Sequence, residues 1–232
     1  MHEYYLLKHK QKYEFALKFG SLVGINYFCQ IMFVKPPSIL KKLFPILTWE
    51  IKTTKKEIYL TFDDGPNPKI TPQVLKILSE FNAKATFFCV GENVEKHPDT
   101  YKQVISNGHK TGNHSYNHLN GWKTPNPEYF ANIQKADNLI KSNLFRPPYG
   151  RISLSQIVPL SKIYKIIMWS VLTYDYDSKV NKEQCFKNSI SKTKPGSIVV
   201  FHDSLKSENN LLYALPLFLK HFLDKGYIFS LL

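Results

Sequence analysis

Seven short apolar runs, regularly interrupted by helical stretches, set the first constraint on this chain. The runs fall at 57–62, 84–90, 109–114, 143–147, 163–169, 197–202 and 226–231. Helical patterns near 71–81, 98–107, 127–141, 152–161, 181–193 and 209–224 lie between them. Pro72, Pro98 and Pro127 stand near helix starts, where a missing N–H is tolerated. Asn107-Gly108 and Lys225-Gly226 read as helix stops. Strands that alternate with helices pair in parallel, since each crossover returns the chain to the same end of the sheet. Seven such units predict an α/β fold, a distorted or incomplete (β/α) barrel with about seven parallel strands. The reactive groups of such a barrel gather at the C-terminal strand ends and in the loops after them.

One strand end reads Thr61-Phe62-Asp63-Asp64-Gly65-Pro66, after the apolar Ile58-Tyr59-Leu60. A strand alternates its side chains, so the adjacent carboxylates cannot share one direction. The pair can divide two tasks, one carboxylate binding a metal and the other handling a proton. A polar strand end closed by a Gly-Pro turn is the alternative. His114 and His118 lie in Gly112-Asn113-His114-Ser115-Tyr116-Asn117-His118. Their spacing of four predicts one face of a helical turn, from which both imidazoles reach one cation. Imidazole suits zinc and related metals, and a carboxylate oxygen is a compatible third ligand. Three protein ligands leave coordination positions open, the pattern of a catalytic metal site.

Phe145-Arg146-Pro147-Pro148-Tyr149-Gly150 stands out by composition. Of 31 basic residues, only Arg146 and Arg151 are arginine. A chain that writes lysine elsewhere keeps arginine where the planar fork matters, and two prolines then set the backbone beyond it. The apolar run Ile198-Val199-Val200-Phe201 ends in His202-Asp203, where a core histidine is the alternative to a reactive one. Trp169 to Asp177 adds Asp175 and Asp177 after the run from Ile163 to Trp169.

Taken in order, these elements resemble the polysaccharide deacetylases, the NodB-homology domain of carbohydrate esterase family 4, over residues 57–232. Lys84 to Gly91 is similar to the family's second strand. The resemblance implies that Asp63 is the general base and that Asp64, His114 and His118 hold the metal. It implies that Arg146 orients the base carboxylate and that the Tyr149 backbone N–H binds the oxyanion. His202 matches the general acid and Asp175 the aspartate paired with it. The implied cofactor is a divalent metal, zinc first, with cobalt, nickel or iron as alternatives. The implied substrate is an N-acetylated glycan, peptidoglycan- or chitin-like, and the reaction is hydrolysis of its N-acetyl amide. Three positions depart from the family pattern: Tyr176 replaces the usual tryptophan, Leu172 a frequent acidic residue, and Val200 a leucine. Two rival readings are a glycan-binding barrel without turnover and an amidase for small cyclic or linear amides. The intact base, triad and acid stand against the first, and the Arg-Pro-Pro-Tyr element against the second.

The net charge of +13 invites a nucleic-acid reading. The excess is lysine spread along the chain, whereas base contacts favour arginine forks, so no nucleic-acid partner is expected. A basic surface suits adhesion to an anionic wall polymer or membrane surface. Cys29, Cys89 and Cys185 are odd in number and far apart, which gives neither a disulfide framework nor a cysteine zinc site. The expected organisation is an N-terminal extension over 1–31, a lead-in over 32–56 and the catalytic domain over 57–232, acting as a monomer. The extension carries Lys8, Lys10, Lys12 and Lys18 before an apolar run broken by Asn26 and Gln30, with no small-residue cleavage site. A weak signal-anchor with membrane contact through residues 1–34, a helix packed on the barrel, and translation from Met32 are its three readings. The corresponding location is cytoplasmic or at the cell envelope.

Overall fold

The computed structural model describes residues 34–232. The readings of the extension, and of Met32, fall outside the described residues. Among the described residues the strands are β1 Glu57–Asp63, β2 Thr86–Cys89, β3 Lys110–Asn113, β4 Leu144–Phe145, β5 Lys165–Ile166, β6 Val171–Leu172, β7 Ile198–His202 and β8 Ile228–Phe229. The α-helices among the described residues are α1 Ser38–Leu43, α2 Thr71–Glu80, α3 Gly91–Lys96, α4 Pro98–Ser106, α5 Asn126–Ile140, α6 Leu154–Leu160, α7 Lys182–Ser191 and α8 Glu208–Leu223. The strands run in the order β5-β4-β3-β2-β1-β7-β6, with β8 beside the start of β1. Every strand pair is parallel.

This is the incomplete barrel that the strand–helix alternation predicts. β5 and β6 occupy opposite edges of the sheet, yet only residues 167–170 separate them in the chain. The sheet must therefore curl until its edges nearly meet. The single strand predicted over 163–169 is thus two short strands. Its first half pairs with β4 and the chain then swings across the seam to pair with β7. The lead-in closes the same seam from below, where Thr48 bridges to Ile167 and Glu50 to Ser197. Helix α3 has no counterpart in the sequence prediction. Six residues directly before Pro98 are too few to show a helical period.

Alternation along the strands sorts the core. Ile58, Leu60 and Phe62 face outward with Phe87, Val199 and Phe201, against Val74 and Leu78 of α2 and Leu215 and Phe218 of α8. Tyr59, Phe88, Leu144, Ile167 and Ile198 fill the interior. Both faces of the sheet are buried, and strands in that position read as continuous apolar runs. Thr61 and Asp63 share the inner face with Tyr59, so β1 carries one polar side chain after another toward the C-terminal mouth. No helix among the described residues is long and apolar enough to cross a membrane.

Gly196 holds the lead-in in place. Its φ is +80°, and a Cβ there would lie 1.9 Å from the Ile51 carbonyl oxygen. The Ile51 N–H in turn donates to the Gly196 carbonyl at 2.8 Å. Gly196→Ala should cost at least about 1–2 kcal/mol from the left-handed backbone alone. That corresponds to a melting temperature lower by about 2–8 °C. Thermal denaturation checks this, and an unchanged melting temperature would show that the strap is not held where it lies.

Candidate active site

Asp63 closes β1 with its side chain buried in the barrel mouth. Asp64 follows at φ +77°, a left-handed turn that swings its carboxylate out of the strand. Aspartate tolerates that region better than most residues because its short polar side chain bonds locally. The turn is held from three sides. Asn93 Nδ2 donates to the Asp64 carbonyl at 2.8 Å. The Gly65 N–H donates to Asp203 Oδ1 at 3.1 Å, and the Thr71 hydroxyl to Asp203 Oδ2 at 2.5 Å. The Asp203 N–H donates to the Asp63 carbonyl at 3.1 Å. A Cβ on residue 65 would fall 2.0 Å from Asp203 Oδ2, so only glycine fits there. Burial pushes Asp203 up to about 8, against the hydrogen bonds from Thr71 and Gly65.

The helical turn expected over His114–His118 is absent. The segment is a loop after β3, with Ser115 at φ +62° and His118 at φ +60°. Its backbone groups are satisfied from outside rather than by a helix ladder. The Ser115 N–H donates to Asn113 Oδ1 and the Tyr116 N–H to Asn132 Oδ1, each at 2.8 Å. The Ser115 and Tyr116 carbonyls accept from Gly91 and Glu92 in the first turn of α3, at 2.9 and 2.7 Å. The two imidazoles nonetheless converge. Asp64 Oδ1 lies 3.2 Å from His118 Nε2 and 3.7 Å from His114 Nε2. One ligand atom from each of the three residues falls within 4.8 Å of the others.

The donor chemistry fits a divalent cation. His114 Nδ1 lies 2.7 Å from the Arg146 carbonyl, which can only accept. Nδ1 therefore carries the proton, and the Nε2 lone pair faces Asp64; such a partner on the far nitrogen is the usual support of a metal-binding histidine. Burial lowers His114 to about 4, so the ring is neutral near pH 7. Burial opposes ionisation of Asp64, but the hydrogen bond from His118 and the charge of His202 hold it well below the usual carboxylate range.

His202 ends β7 and is the register partner of Asp63. Asp175 spans both its ring and its backbone: Oδ1 lies 2.8 Å from Nδ1, and Oδ2 accepts the His202 N–H at 2.7 Å. The Thr173 hydroxyl donates to the same Oδ1 at 3.1 Å. Burial works against the imidazolium, but Asp175, aided by Asp64 and Asp63, pushes His202 up to about 9. Asp177, also singled out in the sequence, turns away and caps the Lys179 N–H at 2.9 Å.

Arg146 sits wholly inside the barrel. It does not grip Asp63 with both prongs of its planar fork. Nη1 donates to Asp63 Oδ1 at 2.6 Å and to the Thr61 hydroxyl at 2.8 Å. Nη2 donates to the Met168 carbonyl at 3.1 Å and Nε to that of Ile167 at 3.4 Å. A fully buried guanidinium must satisfy all its donors, so the fork is shared with the chain that crosses the seam. Tyr149 has φ +59° and packs its ring edge against His118 with centroids 4.4 Å apart. Its N–H donates to no group among the described residues.

Leu172 and Val200 form a small buried cluster with Tyr174, and Tyr176 packs edge-on to His202 at 4.7 Å. Among the described residues seven non-glycine positions have positive φ, and Asp64, Ser115, His118, Tyr149 and Tyr174 among them ring this site. Such conformations persist only where the surroundings enforce them. Asp203, Asn93, Asn113 and Asn132 were not singled out from the sequence. The only sequence signal for Asp203 is its place directly after the last strand's histidine, at the same end of the sheet.

A carboxylate held by arginine, an Asp-His-His cluster and an aspartate-paired histidine at the mouth of a parallel barrel define a hydrolytic class of site. The polysaccharide deacetylase family model matches residues 50–160. Within that span lie Asp63, Asp64, His114, His118, Arg146 and Tyr149; Asp175 and His202 lie beyond it. A peptidoglycan-N-acetylglucosamine deacetylase of Bacillus cereus is 33% identical over 190 residues, 79% of this chain and 89% of its own length. A second from that organism is 37% identical over 157 residues, but the match spans only 57% of its length. A chitooligosaccharide deacetylase of Azorhizobium caulinodans is 33% identical over 161 residues, 66% of this chain and 76% of its own. Among solved structures, a peptidoglycan N-acetylglucosamine deacetylase superposes with a TM-score of 0.78 at 32% identity, covering 85% of this chain and 94% of the other. The chain belongs to the polysaccharide deacetylase family.

The Asn132 amide holds both Tyr116 and Asn117, its Nδ2 donating to Asn117 Oδ1 at 2.7 Å. Asn132→Ala should weaken zinc binding by about 10–100-fold, the scale of losing support behind a ligand. His114→Ala should remove binding at this site altogether. Equilibrium dialysis against zinc measures both, and full affinity in His114→Ala would disqualify the cluster as the metal site.

Proposed function

We propose that this protein is a metal-dependent N-deacetylase of glycans containing N-acetylated amino sugars. The observation that carries the reading is the pairing of Asp63 with His202. They are register partners on adjacent strands beside the Asp-His-His cluster, one held by a cation and the other by an anion. That arrangement suits one group to accept a proton and the other to donate one.

Asp64, His114 and His118 would hold the ion, zinc first and cobalt, nickel or iron as alternatives. When bound, it supplies Lewis acidity toward the acetyl carbonyl and lowers the pKa of water. Asp63 takes the proton of the attacking water. Arg146 Nη1 pins Oδ1 of Asp63 and leaves the other oxygen for that water. The Tyr149 N–H, which donates to no group among the described residues, is available to the developing oxyanion. His202, held through Nδ1 by Asp175, delivers the proton of Nε2 to the departing nitrogen. Water adds across the C–N bond, and acetate and a free amino sugar leave. The relatives named for peptidoglycan and chitooligosaccharides support a glycan of that kind. A peptidoglycan substrate would place the work at the cell envelope.

A binding barrel without turnover is the rival class. One solved relative, at 25% identity and a TM-score of 0.70, is described as a CE4 family pseudoenzyme from Bacillus anthracis. Fold alone therefore does not confer activity. Here base, cluster and acid are all present in mutually consistent geometry, which favours the enzyme.

Acetate release from chitin oligomers and peptidoglycan with added zinc tests the reading. Asp63→Asn should keep zinc but lose about 10²–10⁴-fold in kcat, the scale of general base catalysis. Near-full activity in that variant would assign the base elsewhere.

The pH profile tests the acid. A histidine raised to about 9 stays protonated through neutral pH, so activity should fall on the alkaline side as that proton is lost. A bound cation lowers this limb somewhat without changing its origin. Asp175→Asn removes the charge that favours the imidazolium, so the alkaline limb should move to lower pH. A limb that stays in place would separate Asp175 from the acid.

A further inference from the structure

The mechanism uses one of the two arginines. Arg146 is paired with Asp63, whereas Arg151 has no ion-pair partner among the described residues. Arg151 is half-buried at the rim of the mouth. Its guanidinium lies 5.4 Å from the Trp122 ring centroid and 5.8 Å from that of Tyr149. Cation–π contacts of this length hold the fork against the rings and leave its N–H edge free.

The placement is built by the backbone rather than by a wandering side chain. The Trp122 indole N–H donates to the Ile152 carbonyl at 3.1 Å. Gln156 Nε2 donates to the Gly121 carbonyl at 2.8 Å. A Cβ on Gly121 would come within 2.6 Å of the Arg151 carbonyl, so glycine permits the close approach of the two segments. Tyr149 then stands between the free cation and His118, whose ring is 4.4 Å from its own. One aromatic ring thus separates Arg151 from the Asp-His-His cluster. That spacing suits contact with a sugar beside the reacting one rather than with the acetamide held at the cluster.

We propose that Arg151, mounted on Trp122 and Tyr149, is a specificity residue that recognises a carboxylate on the glycan next to the reacting sugar. The inference rests on the deacetylase reading for its substrate class. A planar, unpaired fork matches a carboxylate with two parallel hydrogen bonds, which a hydroxyl cannot offer. The two flanking rings give apolar faces for a sugar on either side.

The test compares two oligomers of N-acetylglucosamine of equal length, one neutral and one carrying C6 carboxylates. Calorimetric binding to zinc-loaded, full-length Asp63→Asn protein avoids turnover. The carboxylated oligomer should bind about tenfold more tightly, the scale of one charge-assisted bidentate contact. The preference should shrink between about 0.05 and about 1 M salt as the charge is screened. Adding Arg151→Gln should bring the affinity ratio close to one, and Arg151→Lys should keep part of it; melting temperatures confirm that both variants fold. Equal affinity for the two oligomers, or a preference that survives Arg151→Gln, overturns the proposal. So does an equal weakening of both oligomers, which would make Arg151 a donor to hydroxyls. Acetate release by the wild-type protein in the same buffers reports on the deacetylase reading separately. Preference without release removes that reading and keeps the carboxylate subsite, and release without preference does the reverse.

Discussion

A guanidinium sealed inside a barrel is the constraint on which the rest of this structure turns. Arg146 has no exposed surface, so each of its donors must find an acceptor within the protein. It finds them on β1, through Asp63 and Thr61, and on the seam-crossing chain, through the carbonyls of Ile167 and Met168. Its face lies 4.1 Å over the Phe88 ring of β2. One side chain thereby ties the middle of the sheet to the segment that closes it. Removing one partner of such a buried pair strands the other charge, typically at about 3–5 kcal/mol. The pair that positions the proposed base is also the pair that the curled sheet is built around.

The mouth above Arg146 is held by polar side chains rather than by regular structure. Asp203 braces the turn after β1, and Asn113 and Asn132 brace the histidine loop after β3. Their hydrogen bonds help offset the cost of the left-handed residues Asp64, Ser115 and His118 in these two loops. Rigid supports of this kind keep ligand atoms close together without a helix or strand beneath them. A cation can then find its ligands already arranged, with little reorganisation on binding.

Two histidines in one mouth show how environment divides labour. His114 and His202 are both buried, yet one is lowered to about 4 and the other raised to about 9. The difference is the partner on Nδ1. His114 faces the neutral Arg146 carbonyl, so burial decides and the ring is neutral. His202 faces the Asp175 carboxylate, whose charge and hydrogen bond outweigh burial. A neutral ring suits a metal ligand and a protonated ring suits an acid, so environment fits the same residue type to two different roles.

The strand–helix alternation and the chemistry-bearing residues were legible in the chain itself. Continuous apolar runs between helical stretches specify parallel pairing because both faces of each strand are covered. Asp63, Asp64, His114, His118, Arg146, Asp175 and His202 declare themselves as polar groups at the ends of those runs. Their local backbone was not legible. A spacing of four between His114 and His118 says helix, and the loop prevails because Asn132 and the first turn of α3, distant in sequence, supply the hydrogen bonds. Nor could the sequence show that Arg146 would divide its fork, since the Ile167 and Met168 carbonyls reach it only once the sheet has curled. The same holds for Asp203 beneath Gly65 and for Trp122 beside Arg151, pairs 138 and 29 positions apart in the chain. Local pattern thus determined which residues lie at the mouth, because side-chain period and chain direction are short-range properties. Tertiary structure decided which atoms face one another there, because hydrogen-bond partners and charge fields act between segments that only folding brings together.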